Sequence, residues 1–128
     1  MTQEEKQLLI KDLCVRFPYG VICRMSAKDA DVSITEKLDI GGIEHFIYGT
    51  MNVEPYLRPM SSMTEKEWEE YERTFDSVYD VDDYGEYDDS WHEEFSIHSL
   101  DWLNAHHFDY RGLIEKGLAL EAPEGMYI

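Results

Sequence analysis

The chain has 128 residues, 43% of them apolar and 13% aromatic, which suits one folded domain and excludes a disordered chain. Its net charge is −17, and half of its 28 acidic residues fall between Glu65 and Glu94. In that segment 14 carboxylates meet 2 basic residues, a net charge of −12, whereas all other residues together carry −5. Such a segment repels nucleic acid and anionic membranes and attracts basic proteins and cations.

The start of the chain does not look like a signal peptide, because Glu4, Glu5 and Lys6 stand where an apolar segment would be needed. No apolar run approaches the roughly 20 residues of a membrane span. We therefore expect a soluble, cytoplasmic protein. In a reducing cytosol Cys14 and Cys23 are predicted to be small core residues without a disulfide.

The first sixteen residues are predicted to form a helix. Thr2 and Glu5 have the spacing of a capping box, in which each side chain bonds the other residue's backbone N–H. Pro18 and Gly20 then end the helix. Its predicted apolar face consists of Leu9, Leu13, Cys14 and Phe17.

Alternating apolar and polar residues predict three antiparallel strands after this helix. The alternation runs from Tyr19 to Met25 and continues through Val32, Ile34, Leu38 and Ile40. The pair Gly41-Gly42 is a two-residue hairpin signal, so residues 43–48 are expected to return as the third strand.

An extended connector and a second capped helix are predicted next. Pro55 and Pro59 exclude a helix, and Thr64 with Glu67 repeats the capping box. The helix has an apolar stripe headed by Trp68 and Phe75, which are both expected to be buried. All acidic residues up to Asp76 are expected to lie off this stripe and face water. The stripe comprises Trp68, Tyr71, Phe75, Val78 and Tyr79.

The remaining segments complete the predicted fold. Residues 80–90 read as a mobile acidic loop, followed by a short helix with Ser99 as its N-cap. A helical turn around Leu113-Ile114 would end at Gly117. The predicted class is α+β in a single domain, 1–128, with an N-terminal helix, a three-stranded antiparallel sheet, and two or three helices packed on it.

The acidic loop partly fits the pattern of a calcium-binding EF-hand loop. Two of its positions fail, because Tyr84 stands at position 5 and Trp91 replaces the bidentate Glu at position 12. We therefore expect no tight metal site, and weak calcium-like binding stays an alternative function. The residues that match the pattern are Asp80, Asp82, Asp88 and the obligatory Gly85.

No arrangement of residues indicates catalysis. The five histidines include no helical i, i+4 pair with a third ligand, and His106 and His107 point to different sides. A thiolate at Cys14 would be disfavoured on the predicted apolar face. We expect a protein that is not an enzyme and needs no cofactor, although an enzyme of unfamiliar type stays an alternative.

The acidic helix favours binding to a basic protein, such as one that itself binds nucleic acid. Seven carboxylates between Glu65 and Asp80 span about 24 Å, or ~3.4 Å per charge, close to one strand of DNA. Lys66 and Arg73 dilute this to about 5 Å per net charge. Such a face predicts an inhibitor or nucleic-acid mimic that binds neither nucleic acid nor membrane directly, and the oligomeric state is left open. The predicted partner-binding residues are Glu65, Glu69, Glu72, Asp76, Asp80, Asp82, Asp83 and Asp88.

Several stretches resemble an uncharacterised family of short acidic proteins from gut Bacteroidales and their phage-like or mobile elements. The longest are residues 54–64, 102–114 and 117–127, and shorter ones are Asp12-Leu13-Cys14 and residues 19–22. The resemblance leaves out the acidic loop and the predicted hairpin. It carries over no functional residue. It implies a setting in which small accessory proteins bind and block other proteins.

Overall fold

The computed structural model describes residues 1–29, 31–79 and 98–127, with only the backbone described for residues 75–79. The predicted loop at 80–90 lies outside these ranges. No helix among the described residues is both long and apolar enough to cross a membrane. The helices are α1 (Gln3–Arg16), α2 (Ile40–Tyr48), α3 (Glu65–Tyr79) and α4, described over residues 98–105, and the strands are β1 (Ile22–Ala27), β2 (Ser33–Lys37), β3 (Met51–Pro59), β4 (Phe108–Asp109) and β5 (Leu120–Glu121).

The α+β class is confirmed, but the sheet is mixed instead of purely antiparallel. Strands β2, β1 and β3 form an antiparallel core in that order. The two-residue strands β4 and β5 then pair in parallel with the end of β3. These short additions fix the C-terminal segment to the central strand.

The predicted connector around Pro55 is extended, as expected, but it is the central strand of the sheet. Pro55 lies opposite Cys23 in the β1–β3 register. Along an antiparallel strand, successive residues direct their backbone N–H and C=O groups to alternate sides. Val21 bonds toward β2, since its carbonyl accepts from Leu38 N (2.9 Å), and Cys23, two residues later, therefore also directs its backbone groups toward β2. Pro55 therefore turns its nitrogen away from β1, and the missing N–H breaks no bond of this ladder.

Helix α1 begins with the predicted capping box and is confirmed in extent. Glu5 N donates to Thr2 Oγ1 (3.1 Å) and Thr2 N donates to Glu5 Oε1 (2.9 Å). The prediction that Cys14 lies on the inner face is wrong, because its side chain is exposed. The helix instead buries Asp12 and Arg16 beside its leucines, which turns Cys14 outward.

Residues 40–48 form helix α2, so the predicted hairpin at Gly41-Gly42 and the strand after it are wrong. Asp39 caps this helix, since its Oδ1 accepts from Gly42 N at 2.7 Å. A Cβ atom at Gly42 would lie 3.0 Å from Met25 Sδ, so this glycine serves close packing of the helix on the sheet. Strand β2 ends at Lys37, before the predicted Ile40.

The core lies between the sheet and the helices α1 and α2 and includes a buried ion pair. Arg16 Nε bonds Asp12 Oδ2 at 2.8 Å, and both side chains are inaccessible to solvent. Arg16 Nη2 also donates to the carbonyl of Phe108 (2.7 Å), which ties α1 to β4. The core cluster comprises Leu9, Leu13, Val21, Cys23, Met25, Leu38, Phe46, Val53, Leu57, Leu113, Leu118 and Ala119.

The C-terminal region differs from prediction at one point, the N-cap of α4. Ser99 lies inside α4 rather than at its N-cap, and its hydroxyl lies 3.1 Å from that of Thr74 on α3. The predicted helical turn around Leu113-Ile114 is formed and ends at Gly117, which has a positive φ of 74° and is followed by a bond from Leu118 N to Leu113 O (2.9 Å). The carboxylate of Asp109 holds this turn by accepting from the N–H groups of Leu113 and Ile114 at 2.9 and 3.0 Å.

Tyr127 fastens the end of the described chain to the sheet. Its hydroxyl accepts from Ile22 N at 2.9 Å and donates to Tyr56 O at 2.6 Å. It thereby replaces a ladder bond at the point where β1 and β3 stop pairing. The ring of His107 stacks on the Tyr127 ring with centroids 3.7 Å apart.

Candidate functional site

The acidic helix α3 starts at the predicted capping box. Glu67 N donates to Thr64 Oγ1 (3.2 Å), and Thr64 N donates to Glu67 Oε1 (3.1 Å). The two bonds satisfy N–H groups that have no partner within the first turn of a helix. They also place Glu65 in the first turn, where a carboxylate interacts favourably with the helix dipole.

Glu67 faces the protein and pairs with Arg58, so the prediction that every acid on this helix faces water is wrong at this position. Arg58 Nη1 and Nη2 donate to the two oxygens of Glu67 at 2.6 and 2.7 Å. These bonds lower the pKa of Glu67 to about 2. The Arg58 guanidinium also lies 4.2 Å from the centre of the Phe108 ring. This pair was missed because nothing in the sequence relates a strand residue to a helix residue nine positions later.

Among the described side chains of α3, Tyr71 and not Trp68 is the aromatic residue that docks the helix. The Tyr71 ring stacks on Trp102 of α4 with centroids 5.4 Å apart, and Trp102 stacks in turn on Phe108 at 5.8 Å. Trp68 is 49% exposed and touches Tyr71 edge-on, so the prediction that it is buried is wrong. Phe75 stays a prediction, because its side chain lies outside the described residues.

The position of Trp68 follows from the phase of the helix. At about 100° per residue, the inward side chains Glu67, Tyr71 and Thr74 fall within about 60° of one another around the axis. Trp68 is about 90° from their centre, on the flank of the helix. Its indole therefore contributes exposed apolar surface beside the acidic residues.

Three of the predicted partner-binding residues form one exposed stripe. Glu65, Glu69 and Glu72 are all exposed, and they fall within about 60° of one another, about 160° from the docked side. Asp76 is part of the same helix, although its side chain lies outside the described residues. We call Glu65, Glu69, Glu72 and Asp76 the acidic stripe. The other predicted residues, Asp80, Asp82, Asp83 and Asp88, lie outside the described residues.

The described part of the chain contains no group of three or more histidine, cysteine or acidic residues able to hold a metal ion. The calcium alternative rests on Asp80, Asp82 and Asp88, outside that part, and stays a prediction. Two of the described histidines make local contacts instead. His45 Nδ1 bonds Thr50 Oγ1 (2.8 Å), and the His106 ring stacks on Trp102 with centroids 4.0 Å apart.

Of the adjacent pair His106 and His107, His107 is the one that faces the interior. Its Nδ1 is buried and has no hydrogen-bond partner among the described residues. Burial and the nearby charges of Arg16, His106 and Arg58 lower the pKa of His107 to about 4. The ring is therefore neutral at pH 7 and is held by stacking.

The two cysteines differ in their surroundings. Burial raises the pKa of the Cys23 thiol to about 12, so it is a protonated core residue. Cys14 lies on the outer side of α1, and both thiols are free. The sequence argued against a nucleophilic Cys14 because it was expected on an apolar face, and that reason is wrong.

A cleft of about 540 Å³ adjoins the start of α3. Its walls come from the end of β3, the capping segment and the C-terminal segment. Tyr127 borders it, but burial raises the pKa of its phenol to about 12 and its hydroxyl is bonded to the backbone. Glu121 and Glu124 also line the cleft, as does Arg58, whose charge is paired with Glu67.

Comparison of the chain with protein-family models, curated proteins and solved structures finds no match. The resemblance to short acidic proteins of Bacteroidales and their mobile elements therefore stays a prediction.

Proposed function

We propose that the chain is a non-enzymatic acidic binding protein whose acidic stripe engages a basic protein. The observation that supports this most is the exposure of Glu65, Glu69 and Glu72 on one side of a helix that is docked on the opposite side. A helix held in this way presents its charges at fixed positions. Fixed charges complementary to a partner speed its approach and set its orientation.

The partner class that suits the stripe best is a protein that binds nucleic acid. With Glu67 paired to Arg58, six carboxylates and two cations remain between Glu65 and Asp80, or about 6 Å of helix axis per net charge. This is sparser than one DNA strand, which carries about one charge per 3.4 Å. Lys66 and Arg73 lie on the flank of the helix opposite Trp68, so Glu65, Glu69 and Glu72 still face a partner together.

Trp68 supplies the apolar contact that such an interface needs. Charged pairs at a protein surface contribute little affinity by themselves, whereas tryptophan is enriched among the residues that dominate binding. The exposed indole lies about 70° from the centre of the acidic stripe, so one partner surface can cover both. We infer that the partner combines a basic groove with an apolar rim.

The test compares three forms of the full chain as bait in a lysate. The stripe variant carries Glu65→Gln, Glu69→Gln, Glu72→Gln and Asp76→Asn. The control variant loses the same number of charges at exposed sites elsewhere, through Glu4→Gln, Asp29→Asn, Glu44→Gln and Glu115→Gln. We expect a basic protein that is retained by the parent and the control, lost from the stripe variant, and released by added duplex DNA. Equal retention by all three forms would reject the proposal.

A further inference from the structure

The outer edge of β2 has backbone groups that find no partner among the described residues. Residues at even positions of β2 direct their N–H and C=O groups toward β1, as the bond from Leu38 N to Val21 O shows. The odd positions Ser33, Thr35 and Lys37 therefore point theirs away from the sheet. Among the described residues no strand pairs with this edge.

Exposed apolar side chains adjoin this edge on the core side of the sheet. Ile34 lies opposite the buried Met25 in the β1–β2 register, yet it is 48% exposed, and Val32 is 67% exposed. This edge thus has backbone groups without a described partner next to exposed apolar side chains, a combination that favours pairing with another strand.

The charge distribution indicates which strand can approach. Residues 1–64 contain 9 acidic and 7 basic residues, a net charge of −2, whereas residues 65–94 carry −12. Two copies of the chain therefore repel each other strongly at the acidic segment and only weakly at the half that contains β2. The described part of the acidic segment, helix α3, docks through Trp102 and Phe108 on the β4 side of the sheet, at the edge opposite β2.

The sequence of β2 complements itself when two copies run antiparallel. With Ile34 opposite Ile34 of the second copy, Asp31 lies opposite Lys37, and the second copy repeats this pair. Ser33 and Thr35 then face each other with outward backbone groups on both strands, which satisfies the bonding pattern. Shifting the register by two residues toward the end of β2 instead places Asp31 opposite Asp39, a pair of like charges.

We propose that a second copy of this chain pairs with β2 in the Ile34-centred antiparallel register, joining two sheets into one. The contact is short, so the dimer is weak, with a dissociation constant on the order of 100 µM. The proposal concerns the near-neutral half of the chain and does not depend on the function assigned to the acidic stripe.

Charge reversal tests the register directly by sedimentation equilibrium of the full chain at about 0.15 M salt. The dimer contains two Asp31–Lys37 pairs. Asp31→Lys turns both into pairs of lysines, and Lys37→Asp turns both into pairs of aspartates. Each change should weaken dimerisation roughly tenfold. The double variant restores both pairs and should return to within about threefold of the parent. Asp29→Lys, an equal charge change at an exposed site outside the paired stretch, is the control.

A backbone variant tests the edge itself. Thr35→Pro removes an outward N–H without breaking a bond to β1, so the monomer should keep its fold by circular dichroism while dimerisation is lost. A parent that sediments as a monomer up to about 1 mM would overturn the proposal, since the expected affinity then fails by an order of magnitude. The proposal would also be overturned if the single charge reversals left the dimer affinity unchanged, or if the double variant dimerised as weakly as the single variants.

Discussion

Arg58 on the central strand and Glu67 on the acidic helix form a two-bond ion pair, with N···O distances of 2.6 and 2.7 Å. Glu67 also closes the capping box, so a single carboxylate both starts the helix and anchors it to the sheet. The other carboxylates in the described first two turns have no such partner. One acid of this helix therefore stabilises the fold, and its neighbours remain free to contact a partner.

Glu67→Gln should destabilise the protein by about 1–2 kcal/mol at pH 7, because the partly exposed ion pair is lost while glutamine still completes the capping box. The pKa of Glu67 is lowered from 4.5 to about 2, so the pair stabilises the fold fully above pH 4.5 and progressively less as the pH falls toward 2. Urea unfolding should show parent and variant converging in this window. Glu70→Gln is the control, and an equal loss there would contradict the assignment.

Trp68→Ala should lower the free energy of unfolding by only about 1 kcal/mol, instead of the 3–5 kcal/mol typical of a buried tryptophan, because the indole is half exposed. The same change should weaken binding to a captured partner about tenfold or more. Denaturant melts and titration calorimetry give the two values. A large loss of stability would show that the indole is part of the core.

Tyr127→Phe should lower the free energy of unfolding by about 1–3 kcal/mol, because Ile22 N and Tyr56 O lose the hydroxyl that joins them. Hydrogen exchange at the Ile22 amide should accelerate in the variant. Tyr48→Phe, at a mostly exposed ring, should leave both quantities unchanged. An unchanged Ile22 amide in the Tyr127 variant would mean that the hydroxyl does not protect this strand end.

His107 should make the fold less stable as the pH falls from 7 to 5. Its pKa in the folded chain is about 4, below the 6.5 of an unperturbed histidine, so the unfolded chain binds a proton first. This difference removes on the order of 2 kcal/mol between pH 7 and pH 5. His107→Asn, which tolerates the positive φ of 64° at this site, should lose less stability over that range. His98→Asn, at an exposed site, should behave like the parent, and a flat pH profile in the parent would refute the shift.

Local signals in the sequence predicted much of the fold. Both capping boxes are formed, because each depends only on two residues three positions apart. The Gly41-Gly42 signal failed since Asp39 supplies a competing helix cap and Gly42 is needed for contact with Met25. Such a contact joins distant segments and leaves no local pattern.

The same limit applies to the candidate site. The acidic stripe could be predicted, since the spacing of Glu65, Glu69 and Glu72 alone places them on one side of a helix. The phase of that helix could not be fixed exactly, because it depends on Arg58 and Trp102, which come from distant parts of the chain. Trp68 was therefore assigned to the core although it lies on the flank. Likewise, the burial of Asp12 and Arg16 depends on a carbonyl 92 residues away from Arg16.

The affinity of the stripe variant for an isolated partner tests the proposed function most directly. At about 0.1 M salt, where the screening length is ~10 Å, neutralising Glu65, Glu69, Glu72 and Asp76 should weaken binding well beyond tenfold. The control variant with four charges removed elsewhere should bind within about threefold of the parent, and the affinities of parent and stripe variant should approach each other as salt rises toward 1 M. Equal affinities of parent and stripe variant at low salt would show that the acidic stripe is only a solvated surface, and the proposal would be wrong.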